Sequence, residues 1–536
     1  MESLESVQDY AILLILDGAD LDIKRVSSNI QDKLGWSPGD LIGKSASTFL
    51  DEASFTRLKN HACSKDRVSS TGCVEPIRVR VVQPSSCEAP SPEFATAQWD
   101  AFIQSSDAEK GLFLLELEAV GEDSVCSRVD TSIVCQTLAN LHVKRTEKDL
   151  CAEVARGVGQ ITGYDRVLVY RFEADGHGVV LAEWLPDESW DSYMGLHFPS
   201  YDIPAAARKM FLTRRLRMII NANTEPSPIV PDARDFQPTG NGAAATLQRV
   251  PSLSSTSDVS STASGSRTSY SSSSVTMSQP TGAKGSTTDF VGPTFGAVSP
   301  CHAAYMRNMG TAASVVVAVV NAVKEGGQTG EKLWGLIVAH HRTPRAIPFD
   351  KRAACLAISN GFTIALDAAR QKEERLGEQR VQHMQARLIK NAVEENFMEA
   401  LQERDSNVAK LIKCGGVAII SGDDACLVGT TPAEDDVMAM RPFLKKASID
   451  VVWHTESLSN MYPPAKKFSK EGSGVLVATI SRSRNSYILW FRPELITTVS
   501  WAGARIDTNP PNPSDRDYSQ LRPRSSFARW SESVVG

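Results

Sequence analysis

The chain has 536 residues, a formal net charge of −6, and 42% apolar and 22% charged residues. That length suits about three domains. The balance is ordinary for a globular protein and lacks the basic excess of an electrostatic nucleic-acid binder. Met1-Glu2-Ser3-Leu4-Glu5 has neither the basic nor the apolar region of a secretory leader, the ten cysteines form no C-x-x-C pair, and the longest apolar run lies near 313–320. A membrane span needs roughly 20 such residues. These features predict an intracellular chain with reduced thiols and neither membrane nor nucleic acid as partner.

In chain order, Ala11–Asp17 reads as a buried strand, Ile30–Gly35 as a short helix with a glycine stop, and 77–82 and 112–117 as later strands. This first unit is α+β. A polar stretch, 121–131, is a linker. Helical spacing follows at Leu138, Leu141, Val143, Val154 and Ile161, then an alternating strand, Gly163–Phe172, and its continuation Ala182-Glu183-Trp184. A helix opens after Asp202-Ile203-Pro204. From 251 to 275 nearly every residue is Ser, Thr, Gly or Ala, so 235–290 reads as a disordered insertion that cannot bury enough apolar surface to order itself. From Ile364 to Cys414 the spacing is helical, as one long helix or two meeting near Gly377. Forty residues would extend about 60 Å, too long for one small core. Residues 416–500 form a third α+β unit, with strands at 416–420, 474–478 and 487–491 and a helix from Pro432.

Three stretches carry chemistry. Ser299-Pro300-Cys301-His302-Ala303-Ala304-Tyr305-Met306-Arg307-Asn308-Met309 sets a thiol beside an imidazole ahead of a β-branched run. A cysteine outside a disulfide is usually a small buried hydrophobe, and a Cys-His pair by itself is a weak signal. Phe198-Pro199-Ser200-Tyr201-Asp202-Ile203-Pro204 precedes a helix, where an aspartate is commonly just an N-cap. Leu333–His341 ends an apolar strand on His340 and His341, where a solvated strand cap is the ordinary reading.

Together these stretches resemble the bilin pocket of phytochromes, red-light photoreceptors. Arg25–Asn29 with Leu34-Gly35-Trp36 resembles a PAS domain, which by itself could be any small α+β domain. Trp490-Phe491-Arg492-Pro493-Glu494, Trp501-Ala502-Gly503 and Pro523-Arg524-Ser525-Ser526-Phe527 resemble the tongue of a PHY domain. The resemblance implies an α+β chain of three tandem domains with antiparallel sheets: PAS (1–120), GAF (132–365), a helical spine (366–415) and PHY (416–536), whose tongue (492–532) reaches back to GAF. It implies a linear tetrapyrrole bilin, phycocyanobilin or phytochromobilin, held by a thioether to Cys301. His302 would lie against its central rings, and the Asp202 carbonyl would accept from pyrrole N–H groups. His340 would bond the ring D carbonyl, with Tyr170, Phe198 and Tyr305 as walls around ring D. Arg217 would pair with a propionate, Ser314 would add a hydroxyl, and Arg524 would reach Asp202.

Three departures stand out. Ser6–Ala11 replaces the Ile-Gln-Pro-His-Gly of many relatives, Gly296 stands where an arginine is expected, and the sequence stops at Gly536, just past the tongue. The lack of an upstream cysteine favours Cys301 as anchor, and the short C-terminus predicts weak PHY packing. The reading is a red/far-red photoreceptor, no enzyme, that attaches bilin autocatalytically, dimerises through its spine, signals to a downstream protein and resides in the cytoplasm or, in a eukaryote, the nucleus. The rival of another class is a PAS–GAF input module of a histidine kinase that binds a small metabolite or only dimerises.

Overall fold

The computed structural model describes residues 5–63, 75–84, 98–105, 111–120, 129–187, 189–230, 294–325, 328–394, 408–447, 451–503 and 527–535. The Ser-rich insertion and Arg524 fall outside these residues. The described residues form three sheets, of seven, eight and five strands.

The first sheet explains the run Ile12–Leu16. Strand side chains alternate between faces. Ile12, Leu14 and Leu16 enter one core with Ile23, Phe49 and Trp99, whereas Leu13 and Ile15 join a second core with Leu150, Val154 and Phe362. A strand buried on both faces reads as an unbroken apolar run. The strand Ser227–Val230, far along the chain, inserts between Ser6–Val7 and Asp22–Ser27 and pairs antiparallel with both. First and second domains are therefore joined by backbone hydrogen bonds.

Side chains reinforce that junction. Gln8 donates from Nε2 to the Met218 carbonyl at 2.7 Å and accepts at Oε1 from the Ile220 N–H at 3.0 Å. Glu116 accepts from the backbone N–H of Thr294 and of Phe295, each at 3.0 Å. Glu118 pairs with Arg352 at 2.6 Å, both side chains 5% exposed or less, and accepts from the Tyr10 hydroxyl at 3.0 Å. Burial and the neighbouring Glu118 push the Tyr10 hydroxyl pKa above its ordinary value.

The central sheet runs Leu216–Ile219, Ala313–Glu325, Gln328–His341, Arg166–Phe172, Gly178–Trp184, His197–Phe198, Ile496–Ala502 and Arg529–Val535. Helices Thr131–Val143, Glu147–Thr162 and Phe349–Glu394 pack with its Val167, Val169, Val315 and Val317 face. Contact is close: a Cβ on Gly159 would lie 2.3 Å from the Trp184 ring. The last two strands are the tongue. They form an antiparallel hairpin that joins the sheet through one parallel pairing, Trp501 with His197. The hairpin thus reaches back to the second domain, as expected of the tongue.

The helix Phe349–Glu394 has 46 residues and continues through Gly377 without a break. It extends about 70 Å. Its first third buries Cys355, Leu356, Ile358 and Phe362, and farther on Leu376 and Ile389 are exposed. The third sheet, wholly antiparallel, orders Asp424–Gly429, Gly416–Ser421, Ser486–Arg492, Gly474–Ser481 and Val452–Thr455.

Candidate functional site

Strand alternation builds the site on the other face of the central sheet. Val167 and Val169 point to the helices, so Arg166, Leu168 and Tyr170 point the opposite way. The register sets Ser314, His340 and Arg166 in one row across three strands. Ser314 is 4% exposed and His340 8%. His340 is thus no solvated strand cap. Its Nδ1 is buried and has no hydrogen-bond partner among the described residues. Burial, then the Arg166 guanidinium, then His302 lower its pKa to about 3.

Cys301 lies in the first turn of the helix Pro300–Asn308, exposed and outside any disulfide. The turn forms here because Ser299 caps it, its hydroxyl accepting from the His302 N–H at 3.3 Å, and Pro300 takes a position that needs no N–H. One helical turn separates Cys301 from Tyr305, which keeps both near one face. His302 is an exposed residue, yet the protein around its ring, with help from Arg217, lowers its pKa to about 4.

An arc of rings links these elements. His302 stacks on Tyr305 at 6.0 Å between centroids, and Tyr305 meets Phe527 of the tongue edge-on at 5.0 Å. Phe527 stacks on Tyr193 at 6.5 Å, Tyr193 meets Phe198 at 6.0 Å, and Phe198 meets Tyr170 at 5.9 Å. The Tyr170 ring also lies over Gly178, where a Cβ would come within 1.9 Å of its Cζ. Only glycine leaves room for that ring.

Asp202 is not a helix cap. The helix Ala205–Thr213 has Pro204 as its N-cap residue, with no side-chain cap bond. Asp202 instead accepts from the Tyr305 hydroxyl at 3.4 Å. Arg217, on Leu216–Ile219, donates from Nη2 to the Ala297 carbonyl at 3.2 Å. The expected partner of Asp202, Arg524, lies outside the described residues. Gly296 accepts from Gln8 Nε2 at 3.3 Å, so the position that lacks the expected arginine belongs to the junction with the first domain.

Sequence reasoning missed Arg166, Tyr193 and the histidine pair under the tongue. Arg166 has the strand parity of Tyr170, which was signal enough. Tyr193 stands in a loop, where no periodicity points. The His177 and His197 rings share a 3.0 Å nitrogen contact, and each lies 5.6 Å from the Trp501 ring. That grouping depends on the tongue folding back. No group of three or more metal-ligating side chains stands among the described residues, and the site is a face walled by aromatic rings. Its polar atoms are an exposed thiol, two neutral imidazoles, a buried hydroxyl and a guanidinium. These fit a planar, conjugated ligand with carbonyl and carboxylate groups.

Family models match in chain order: the PAS fold at residues 1–86, the GAF domain at 146–366 and the phytochrome region at 381–536. Cyanobacterial phytochrome B of Nostoc sp. is 30% identical over 99% of this chain. Phytochrome-like protein Cph1 of Synechocystis sp. is 30% identical over 98%. The chain spans 61% of the length of each. Among solved structures, a bacteriophytochrome of the photosynthetic bacterium R. palustris matches at TM-score 0.72 and 27% identity, over 99% of this chain and 92% of that one. The Stigmatella aurantiaca phytochrome photosensory core module matches at 0.70 and 25%, over 100% of this chain and 92% of that one. Three domain models in order, with relatives and structures aligned along nearly the whole chain, place it in the phytochrome family as a PAS–GAF–PHY photosensory module.

Proposed function

We propose that this chain is the sensory part of a red/far-red photoreceptor that carries phycocyanobilin or phytochromobilin on Cys301. The observation that carries this reading is the ring contact from His302, beside the thiol, through Tyr305 to Phe527 of the tongue. It supplies a physical route from a ligand at Cys301 to the third domain. A bound bilin supplies absorption of red light and isomerisation about one double bond.

The chain's own groups do the rest. Cys301 would hold the ligand by adding its S–H across a double bond of the ligand's side chain, the π bond giving way to a C–S bond and a C–H bond, an addition that needs no oxidant and that we take to be autocatalytic. Arg217 holds a carboxylate, for which a guanidinium fork is suited. His302, the Asp202 carbonyl and Ser314 line the polar centre and His340 meets a carbonyl, while Tyr170, Phe198 and Tyr305 wall the moving end. Arg524 closes on Asp202. The tongue then leaves its hairpin for a second arrangement, a switch of the order-changing kind.

The spine carries the change onward. Ile364, 70% exposed, and Ile389, 67% exposed, support a homodimer through the helix Phe349–Glu394, and a separate signalling protein reads it. Among the described residues no helix is long and apolar enough to cross a membrane. Cytoplasm or nucleus is the proposed location.

The test is co-expression with phycocyanobilin, with spectra before and after red light and zinc fluorescence on a denaturing gel, alongside Cys301→Ala. A reversible red to far-red shift, with gel fluorescence lost in Cys301→Ala, is expected. No bilin uptake by the unaltered chain would overturn the reading.

A further inference from the structure

His340 stands directly opposite Arg166 in the pairing of Gln328–His341 with Arg166–Phe172. Both side chains face the site, and both are buried. Like charges directly opposite across a sheet repel, and the cost grows as water is removed. An arginine stays charged at any pH a protein survives, so the histidine is the group that must yield.

The structure holds Arg166 firmly. Its side chain is 1% exposed, its Nε lies 3.3 Å from Glu183 Oε1, and its Nη2 donates to the Asp191 carbonyl at 2.5 Å. Its guanidinium carbon lies 3.9 Å from the Tyr193 ring centre and 4.4 Å from that of Trp190. Glu183 is itself engaged, accepting from the Ser192 hydroxyl at 2.5 Å and the Tyr193 N–H at 3.2 Å. One segment, 183–193, therefore clamps the guanidinium on several sides. Nη1 of Arg166 and Nδ1 of His340 are both buried without a hydrogen-bond partner among the described residues.

We infer that Arg166 is a positioning residue: it adds to burial in keeping His340 uncharged and so limits it to one hydrogen-bond donor and one acceptor toward the ligand. A cationic His340 would offer two donors and add a charge to the site. The other ionisable groups around it are His302, kept neutral by its own burial and by Arg217, and Glu183, already spent on Arg166 and the 183–193 segment. Asp202 lies farther round the arc, bonded to Tyr305. Arg166 is thus the permanent charge set directly opposite it in the sheet. The meaning of this for ligand binding rests on the photoreceptor reading; the proton state of His340 does not.

The experiment is a pH titration of the chain labelled with 15N-histidine, without added bilin. The chain has nine histidines, and the His340 signal is the one lost in His340→Asn. His340 of the unaltered chain is expected to stay neutral from pH 8 to pH 5. Arg166→Gln is expected to raise the protonated fraction of His340 at pH 5 at least tenfold. Arg166→Lys, which keeps the charge, should stay within about threefold of the unaltered chain. Should Arg166→Gln fail to fold, Arg166→Met with Glu183→Gln removes both buried charges together, an exchange that proteins commonly tolerate, and the same rise is expected.

No rise in either variant, or an equal rise in Arg166→Lys, overturns the inference. In the phycocyanobilin-loaded chain, Arg166→Gln should also move the pH at which the red band changes, and an unmoved band overturns the ligand-side role. Failure of the unaltered chain to take up bilin would sink the photoreceptor reading and leave the titration result standing.

Discussion

On one face of the central sheet Val167, Val169, Val315, Val317 and Val319 pack against helices in a dry core continuous with the first domain. On the other face the same strands present Arg166, Ser314, His340 and Tyr170, and Arg166 and His340 keep buried nitrogens without a hydrogen-bond partner among the described residues. At the junction with the first domain, buried polar groups pair with one another: Glu118 with Arg352 and Tyr10, Glu116 with two backbone N–H groups. The site face leaves such groups for something else. One sheet therefore serves as platform and as binding surface, and strand alternation alone keeps the two apart.

The comparison breaks hardest at the platform. Arg352→Ala would leave Glu118 charged and buried without its partner, at a cost of about 3–5 kcal/mol. A large fall in the urea midpoint is expected, and Arg352→Met with Glu118→Gln should recover most of it. An unchanged midpoint in Arg352→Ala would show that the junction is not held by this pair.

On the site face, Gly178→Ala drives a methyl into the Tyr170 ring. Overpacking of this kind costs about 1–3 kcal/mol. Bilin absorbance per chain is expected to fall while the first domain's unfolding is unchanged. Equal absorbance would mean that Tyr170 can move without cost to the site.

Acid should act on the site face first. His302 and His340 have folded pKa values lowered to about 4 and about 3 from an ordinary 6.5. Between those limits the unfolded chain binds more protons than the folded one. Their contribution to stability is complete above pH 6.5 and is lost as pH falls toward 4 and then 3. Urea midpoints at pH 7.5, 6 and 5 should decline in that order, and His340→Asn should flatten the decline. A flat series in the unaltered chain would contradict the burial of His340.

The smallest effect belongs to the exposed spine. Ile364→Lys with Ile389→Lys should change stability by no more than about 0.5 kcal/mol per site. Light scattering should nevertheless report monomer in place of dimer. A dimer that survives both charges would place the self-association elsewhere.

Much of this was legible in the residues. The strand at Gly416–Ser421 and the glycine stop after Ile30–Leu34 follow from an apolar run and from glycine's tolerance of positive φ, 77° at Gly35. Motifs pointed to Cys301, His302, Asp202 and His340. Their ordinary readings were wrong for two of them, because whether an aspartate caps a helix or a histidine meets water depends on neighbours far along the chain. Tyr193 carried no local signal at all.

The sequence by itself determined the elements, their order and the residue types around the thiol, since periodicity, caps and turn residues act over a few positions. Only the tertiary structure decided that Ser227–Val230 would join the first sheet, that the tongue would dock beside His197, and that Arg166 would face His340. Those are pairings between distant segments. Register and burial choose them, and neither exists until the chain has folded back on itself.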